Sequence, residues 1–219
     1  MNYISKIGSE LIYSDFKEIS ELAFQEKVSF YEKNRELIKS LAFQKYFEIK
    51  LGYSEALFNA GLYYKYIGIA EEIINESIHN NIKVFNNKDI YKETLFKKAA
   101  AHHNLYELDD AELIIKELIK MDPKDRSNQS FLFRCLNKKK SKLNRTTRAI
   151  SVIFFLSAAL VSAIEILLIN NFFSDISFLS SIIRNSIFVS GLIIFVTGEL
   201  WNIIIIKKKI KSFLVGINK

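Results

Sequence analysis

Residues Ala149–Ile169, AISVIFFLSAALVSAIEILLI, and Asn185–Ile206, NSIFVSGLIIFVTGELWNIIII, decide how this chain is read. They are 21 and 22 residues long, each with 13 Ile, Leu, Val or Phe residues and one carboxylate, Glu165 or Glu199. A helix needs about 20 apolar residues to cross a bilayer core. At about −0.3 to −0.6 kcal/mol per large apolar residue, each run gains about 4 to 8 kcal/mol on insertion. One acid costs about 3 kcal/mol at mid-bilayer and less near an end. Two spans are expected. The competing reading is a pair of soluble core helices, but those keep a polar stripe, and these runs have none.

The flanking charges orient the pair. Arg134, Lys138, Lys139, Lys140, Lys142, Arg145 and Arg148 precede the first run, and Lys207, Lys208, Lys209 and Lys211 follow the second. The connector from Asn170 to Arg184 carries only Asp175 and Arg184. Positive residues stay cytoplasmic, which places both termini inside and a short Phe- and Ser-rich turn outside. Trp201 falls near the inner end of the second span, where an interfacial aromatic belongs. A bacterial inner membrane is the expected location.

The net charge of +7 divides unevenly. Residues 134–219 hold 13 Lys or Arg against 3 Asp or Glu, and residues 1–133 hold 18 against 21. The basic excess is all beside the membrane. It reads as an anchor for anionic lipid headgroups through Lys138, Lys139, Lys140, Arg145, Arg148, Lys207, Lys208 and Lys209. Nucleic acid is the lesser alternative for Lys138–Arg148 and is not expected as a partner.

Met1–Phe16 shows no charged n-region leading into an apolar h-region, so no signal peptide is expected. The single cysteine, Cys135, forms no intrachain disulfide and supplies no cysteine metal set. One Pro and seven Gly among 219 residues favour helices throughout. Residues 1–137 read as amphipathic helices over Asp15–Glu32, Arg35–Lys50, Ser54–Ile67, Ile69–Val84, Ile90–Leu105, Asp110–Met121 and Arg126–Asn137. Asp15 with Glu18 and Asp109 with Glu112 have capping-box spacing. No strand alternation with hairpin turn signals is read.

Within residues 91–124, small Ala99 and Ala111 are flanked by Leu95, Leu108, Ile115 and Leu118, and Met121-Asp122-Pro123 closes the segment. In this pattern the segment resembles a tetratricopeptide repeat. Residues 54–87 resemble a weaker copy, with Gly61, Tyr64 and Gly68 at the small, aromatic and turn positions. This copy departs at Ile73, where the family has a small residue. Residues 15–50 lack the fingerprint. The resemblance implies an all-α antiparallel helical-repeat domain. Arg126–Asn137 would cap it through Phe131, Leu132 and Cys135. A basic juxtamembrane linker, 138–148, the hairpin, 149–206, and a basic tail, 207–219, follow.

The resemblance further implies that first helices line a groove for a protein partner, through Phe58, Leu62, Lys65, Tyr66, Phe96, His103 and Asn104. The family's clamp for a peptide carboxylate is not present. His102 and His103 point about 100° apart on a helix, and no metal or other cofactor is expected. No phosphate loop, nucleophile elbow or zinc motif occurs, so an enzyme is not expected.

Glu165 and Glu199 are acids inside the spans, which marks them as functional candidates. They differ by about 12 Å in depth at 1.5 Å per residue, so they do not bond each other. They either reach for the nearest headgroup layer or act between subunits. Ala159 with Ala163, and Gly191 with Gly198, offer small faces for helix packing or a homo-oligomer. A membrane-anchored helical-repeat adaptor is the leading expectation. The rival is an oligomeric effector or channel subunit whose repeats sense a signal.

Overall fold

A computed structural model describes the backbone of residues 3–139, 142–169 and 177–217, and the side chains of residues 11–139, 144–167 and 177–217. The chain divides into two units, Met1–Asn128 and Gln129–Lys219.

The first unit is a run of packed helices: α1 (Tyr3–Glu18), α2 (Phe24–Lys33), α3 (Arg35–Lys39), α4 (Phe43–Asn59), α5 (Tyr63–His79), α6 (Ile90–Asn104) and α7 (Leu108–Met121), with α8 (Arg126–Lys139) starting at its end. Beyond the short α3, each helix packs on the next: α4 on α2, α5 on α4, α6 on α5 and α7 on α6. The core runs through Phe16, Tyr31, Ile38, Phe47, Tyr53, Leu57, Tyr66 and Ile73. Each such side chain, fully buried, contributes about 1.5–3 kcal/mol by area. Tyr31 and Tyr53 stack at 3.9 Å between ring centroids.

Helices α6, α7 and α8 lie close to their expected places, and the earlier ones do not. The sequence reading ends one helix at Lys50 and opens the next at Ser54, yet α4 runs unbroken through Gly52 between them. The buried set Phe47, Lys50, Tyr53, Ser54 and Leu57 keeps helical spacing across the glycine. Gly52 is there for space, since a Cβ would lie 2.9 Å from the Phe16 ring. Asp15 sits within the last turn of α1 rather than at a helix start. The first residue before α7 is Glu107, with Asp109 and Asp110 in the opening turn. The side-chain cap absent from the sequence reading is Asp89, whose carboxylate accepts from Lys92 N at 3.0 Å and opens α6.

Three helices end alike. The N–H of Leu62 bonds Leu57 O, that of Ile82 bonds Ser77 O, and that of Glu107 bonds His102 O. The preceding residues, Gly61, Asn81 and Tyr106, have φ of +75°, +54° and +64°. This is the Schellman ending, which needs one left-handed residue to turn the chain. The α4–α5 turn therefore falls at Gly61, while Gly68 lies inside α5.

A two-strand hairpin sits between α5 and α6, contrary to the expectation of no strands. β1 (Val84–Phe85) pairs antiparallel with β2 (Lys88–Asp89) around Asn86 and Asn87, both at positive φ. Asparagine tolerates that region, so Asn-Asn serves as a tight hairpin turn. Phe85 meets Phe47 edge-on at 5.5 Å and covers the core there.

The second unit is a helical hairpin. The rest of α8 leads to α9 (Lys142–Ile164), a π-helical turn (Glu165–Ile169) and, after residues outside those described, α10 (Ser177–Ile217). The stretch read as a linker is helical at residues 138–139 and again from Lys142. The stretch read as a tail is helical to Ile217. Arg184, read as the end of a connector, lies inside α10. Both helices are long and apolar enough to span a membrane.

The seam between α9 and α10 is small and polar. Asn144, Ser151, Ala158 and Glu165 are buried at seven-residue intervals, facing Gly191, Gly198, Asn202 and Ile206 on α10. A seven-residue repeat keeps one seam facing a partner as in a left-handed coil. Large apolar residues such as Ile153, Leu156, Leu160, Ile193 and Ile204 point outward, more than half exposed. A Cβ on Gly198 would lie 2.8 Å from Thr147 Cβ, and one on Gly191 2.9 Å from Phe154 Cβ.

Candidate functional site

Alternate helices of the first unit share one cleft of about 300 Å³. α1 brings Phe16 and Lys17, α4 brings Glu48, Leu51, Gly52 and Glu55, and α6 brings Ile90, Glu93, Thr94 and Lys97. Tyr66, Phe85, Asn86 and Lys88 complete the wall, with Ile19, Glu21 and Lys27 at the α1–α2 end. The lower end of the volume range for ligand sites is about this size. The floor is apolar and aromatic, and the rim is charged.

The rim charges are tied to each other. Lys17 pairs with Glu48, Lys97 bridges Glu93 at 3.0 Å and Glu55 at 3.4 Å, and Lys88 lies 3.5 Å from Glu93. Burial pushes the Glu48 carboxyl up, but hydrogen bonds from Lys17 and Tyr13 outweigh it and hold the group below the usual carboxylate range. Glu93 behaves alike, its burial outweighed by Lys97 and Lys88. Four lysines and four glutamates make a rim without net charge.

The seven residues expected to line a groove do not come together. Tyr66 reaches the cleft wall but is 1% exposed and donates from its hydroxyl to Thr94 O at 3.4 Å, so it is core. Leu62 and Lys65 border an open depression with Gln25, Val28 and Glu32, and Lys65 is paired with Glu32 at 2.7 Å. Phe96 borders another, with Leu118 and Asp122. Phe58 packs its ring on Tyr63 and Tyr66. His103 is half-buried and Asn104 exposed, away from the cleft lining. For the first pair the reason is register. With its first helix set at 54–67 instead of Phe43–Asn59, the predicted inner face falls on the end of α4, the turn and α5. The signal that finds the cleft face is the run Phe47, Lys50, Tyr53 and Leu57, which marks the buried stripe of α4 and leaves Glu48, Leu51 and Glu55 for the cleft side.

Beneath this unit's surface lies a buried charge. Lys50 is 0% exposed, and its ammonium donates to Glu76 at 2.8 Å and to Tyr46 Oη at 3.0 Å and pairs with Glu72 at 2.8 Å. Burial pushes its pKa down, but the bonds to Glu72, Glu76 and Tyr46 win and hold it above the ordinary lysine value. Burial, with Tyr46 adding to it, pushes the neighbouring Tyr31 hydroxyl up to about 12.

His102, Glu107 and Asp110 also meet, at the α6–α7 turn, with ligand-type atoms within 4.8 Å of one another. His102 Nδ1 donates to Glu107 Oε2 at 2.6 Å. Helical spacing hides this contact, because the Schellman turn at Tyr106 folds residue 107 back onto residue 102. The carboxylates sit at the positive end of the α7 dipole, which accounts for them.

In the hairpin each acid of the two apolar runs has an arginine from the other helix. Arg184 Nη1 donates to Glu165 Oε2 at 2.8 Å, and Arg148 pairs with Glu199. Both acids are thus answered within the hairpin. They do not bond each other, and their separation exceeds the expected ~12 Å, because Glu199 lies level with Arg148 near the start of α9. The pairs lie about 22–25 Å apart along the helices at 1.5 Å per residue, one near each end of the apolar slab. Gly191 and Gly198 are in the seam, whereas Ala159 and Ala163 are exposed and Ala158 takes the seam position. Lys138, Lys139, Arg145, Lys207, Lys208 and Lys209 lie on the surface of their helices, Lys138 half-buried, and Lys140 lies outside the described residues.

Comparison with protein-family models, with curated proteins and with solved structures finds no match to this chain.

Proposed function

We propose that this chain is a membrane-anchored helical adaptor, whose hairpin spans a bilayer and whose first unit holds a segment of a partner protein in the α1–α4–α6 cleft. The hairpin's inverted polarity supports the anchor. Small and polar residues face inward and large apolar ones outward, the arrangement lipid favours and water penalises. The loop charges put both termini on the cytoplasmic side of a bacterial inner membrane. No reaction is assigned to the chain.

The observation that carries the adaptor reading over a channel reading is the pairing of both intramembrane acids. Arg184–Glu165 and Arg148–Glu199 neutralise both acids of the apolar runs within one hairpin, so no second subunit is needed to receive the carboxylates. A pore lined by Glu165 and Glu199 would have to break both pairs, and freeing a buried charge from its partner costs about 3–5 kcal/mol.

The repeat reading rests on α6–α7, where Ala99 and Ala111 are fully buried and the second helix stops before Pro123. Aligning the α4–α5 turn at Gly61 with the α6–α7 turn at Tyr106 puts Ser54 and Tyr66 at the two small positions. One tetratricopeptide-like hairpin thus follows one in which the second small residue has become a tyrosine. The turns are 45 residues apart, against about 34 in the family, and the β1–β2 hairpin occupies the added length.

A photo-crosslinking residue in place of Leu51, at the cleft, is expected to capture a partner in cells. The same residue at exposed Leu113 on α7 should not. Lys97→Glu, which reverses a rim charge, should reduce capture from position 51. Equal capture at positions 51 and 113, or capture indifferent to Lys97→Glu, refutes the cleft as the binding site.

A further inference from the structure

Many lysines of the first unit are answered by carboxylates, among them Lys17 by Glu48, Lys50 by Glu72 and Glu76, Lys65 by Glu32, and Lys98 by Glu71. The basic end of the hairpin is built differently. Residues 129–148 and 200–219 contain no Asp or Glu, against seven Lys or Arg in the first stretch and five in the second. Glu199, just before the second stretch, is taken by Arg148. Arg145, Lys207, Lys208 and Lys211 are exposed. The hairpin supplies these cations with no carboxylate of its own.

An apolar edge runs beside them. α10 stays almost wholly apolar for seven residues past Glu199, about 10 Å at 1.5 Å per residue. Trp201, Ile204 and Ile205 are exposed there at 57%, 58% and 40%. α10 is held to α8 at this end, because Asn202 Nδ2 donates to Asn137 Oδ1 at 3.1 Å, and Ile206 is buried. Arg145 lies one turn beyond Arg148 in the same direction that Trp201 lies beyond Glu199. Arg145 therefore shares the level of the apolar edge, just past the last ion pair, and Lys207 and Lys208 follow it within about 10 Å along α10. Water suits only one of these surfaces and hydrocarbon only the other. The boundary layer of a bilayer suits both.

We propose that this end of the hairpin is a binding site for an anionic phospholipid. The Trp201–Ile204–Ile205 edge takes the upper part of an acyl chain. Arg145, with Lys207 and Lys208, takes the phosphodiester, to which a guanidinium offers a two-pronged donor. The proposal rests on the membrane-spanning reading and is independent of the cleft. Arg148 is not part of the site, because Glu199 holds it.

Trp201 is the chain's only tryptophan and reports on the site directly. The full-length protein is placed in phosphatidylcholine nanodiscs containing a small fraction of a lipid brominated high on its acyl chains. The brominated lipid is either phosphatidylglycerol or phosphatidylcholine. Bromine quenches tryptophan on contact, so unequal quenching at equal fraction measures local enrichment. Brominated phosphatidylglycerol is expected to be enriched about fivefold for each engaged cation at low salt, and less at high salt. Arg145→Gln with Lys207→Gln and Lys208→Gln should bring the two lipids to equality. Arg148→Gln with Glu199→Gln, which removes a neutral pair, should leave the enrichment unchanged. Equal quenching by both lipids in the unaltered protein overturns the proposal, as does enrichment that survives the triple substitution. A DNA duplex that alters Trp201 emission in purely zwitterionic discs, as anionic lipid does, would assign the cations to nucleic acid and overturn it too. Failure to enter the nanodiscs at all would instead sink the membrane reading on which the site rests.

Discussion

Replacing Lys50 with Met should cost less stability than neutralising its two carboxylates, although the lysine is the residue in the core. Lys50 is 0% exposed, while the side chains of Glu72 and Glu76 are 51% and 29% exposed. Removing the ammonium lets Glu72 rehydrate where it stands and leaves Glu76, with Oε2 buried, on the Tyr46 hydroxyl. Their mutual repulsion, four residues apart on α5, is about 0.2–0.5 kcal/mol. Met fills nearly the same volume without desolvation cost, and replacing buried charge with apolar volume is often neutral. Lys50→Met should therefore lie within about 1 kcal/mol of the unaltered protein. Glu72→Gln with Glu76→Gln leaves the ammonium buried with only neutral acceptors, and breaking a buried pair costs about 3–5 kcal/mol. Partial exposure of the acids discounts this to about 2–4 kcal/mol. Hydrogen exchange of the α4 and α5 amides, read by mass spectrometry on the full chain in detergent, gives both opening free energies. The pH dependence follows from the raised Lys50 pKa. A raised folded pKa contributes stability that is complete below the unfolded value, about 10.4, and is lost only as pH rises past it. The contribution should thus be flat across neutral pH. Lys50→Met destabilising as much as the double Gln variant would refute the reasoning.

Gly61→Ala should cost about 1 kcal/mol by placing a Cβ at φ +75°, although nothing lies within 4 Å of it; opening of the α4–α5 turn in hydrogen exchange reads this. Gly198→Ala should part α9 from α10, because its Cβ would meet Thr147 at backbone-proximal distance; spin labels on the two helices should report a longer separation, and an unchanged one would place the seam elsewhere. Glu165→Gln and Arg184→Gln should each destabilise the hairpin. The double variant should recover part of the loss, with a coupling of about 0.6–1.7 kcal/mol, the range for polar pairs between membrane helices. Resistance to unfolding in mixed micelles measures the cycle, and strict additivity would argue against the pair.

Composition and one-dimensional pattern determined what depends on amount. Twenty-residue apolar runs, the split of charge into a basic end and an acidic remainder, and the helical character of the whole chain are sums along the sequence. The hairpin α6–α7 was legible too, since Ala99, Ala111 and Pro123 act locally. Register was not. The stretch between Lys50 and Ser54 reads as a break between helices, and Gly52 within it is a place for the Phe16 ring. Gly68 looks like a turn, while the turn is at Gly61. This one shift moved the first pair's part of the expected groove from Glu48, Leu51 and Glu55 to residues that are core, paired or elsewhere. The partners of charges were hidden for the same reason. Glu165 finds Arg184, Glu199 finds Arg148, and Lys50 finds Glu72 and Glu76 only when helices meet at one depth and rotation. A sequence fixes how many charges enter a bilayer or a core. Only packing decides whether each is answered there, and so whether the two apolar helices hold the protein in place or open a path through the membrane.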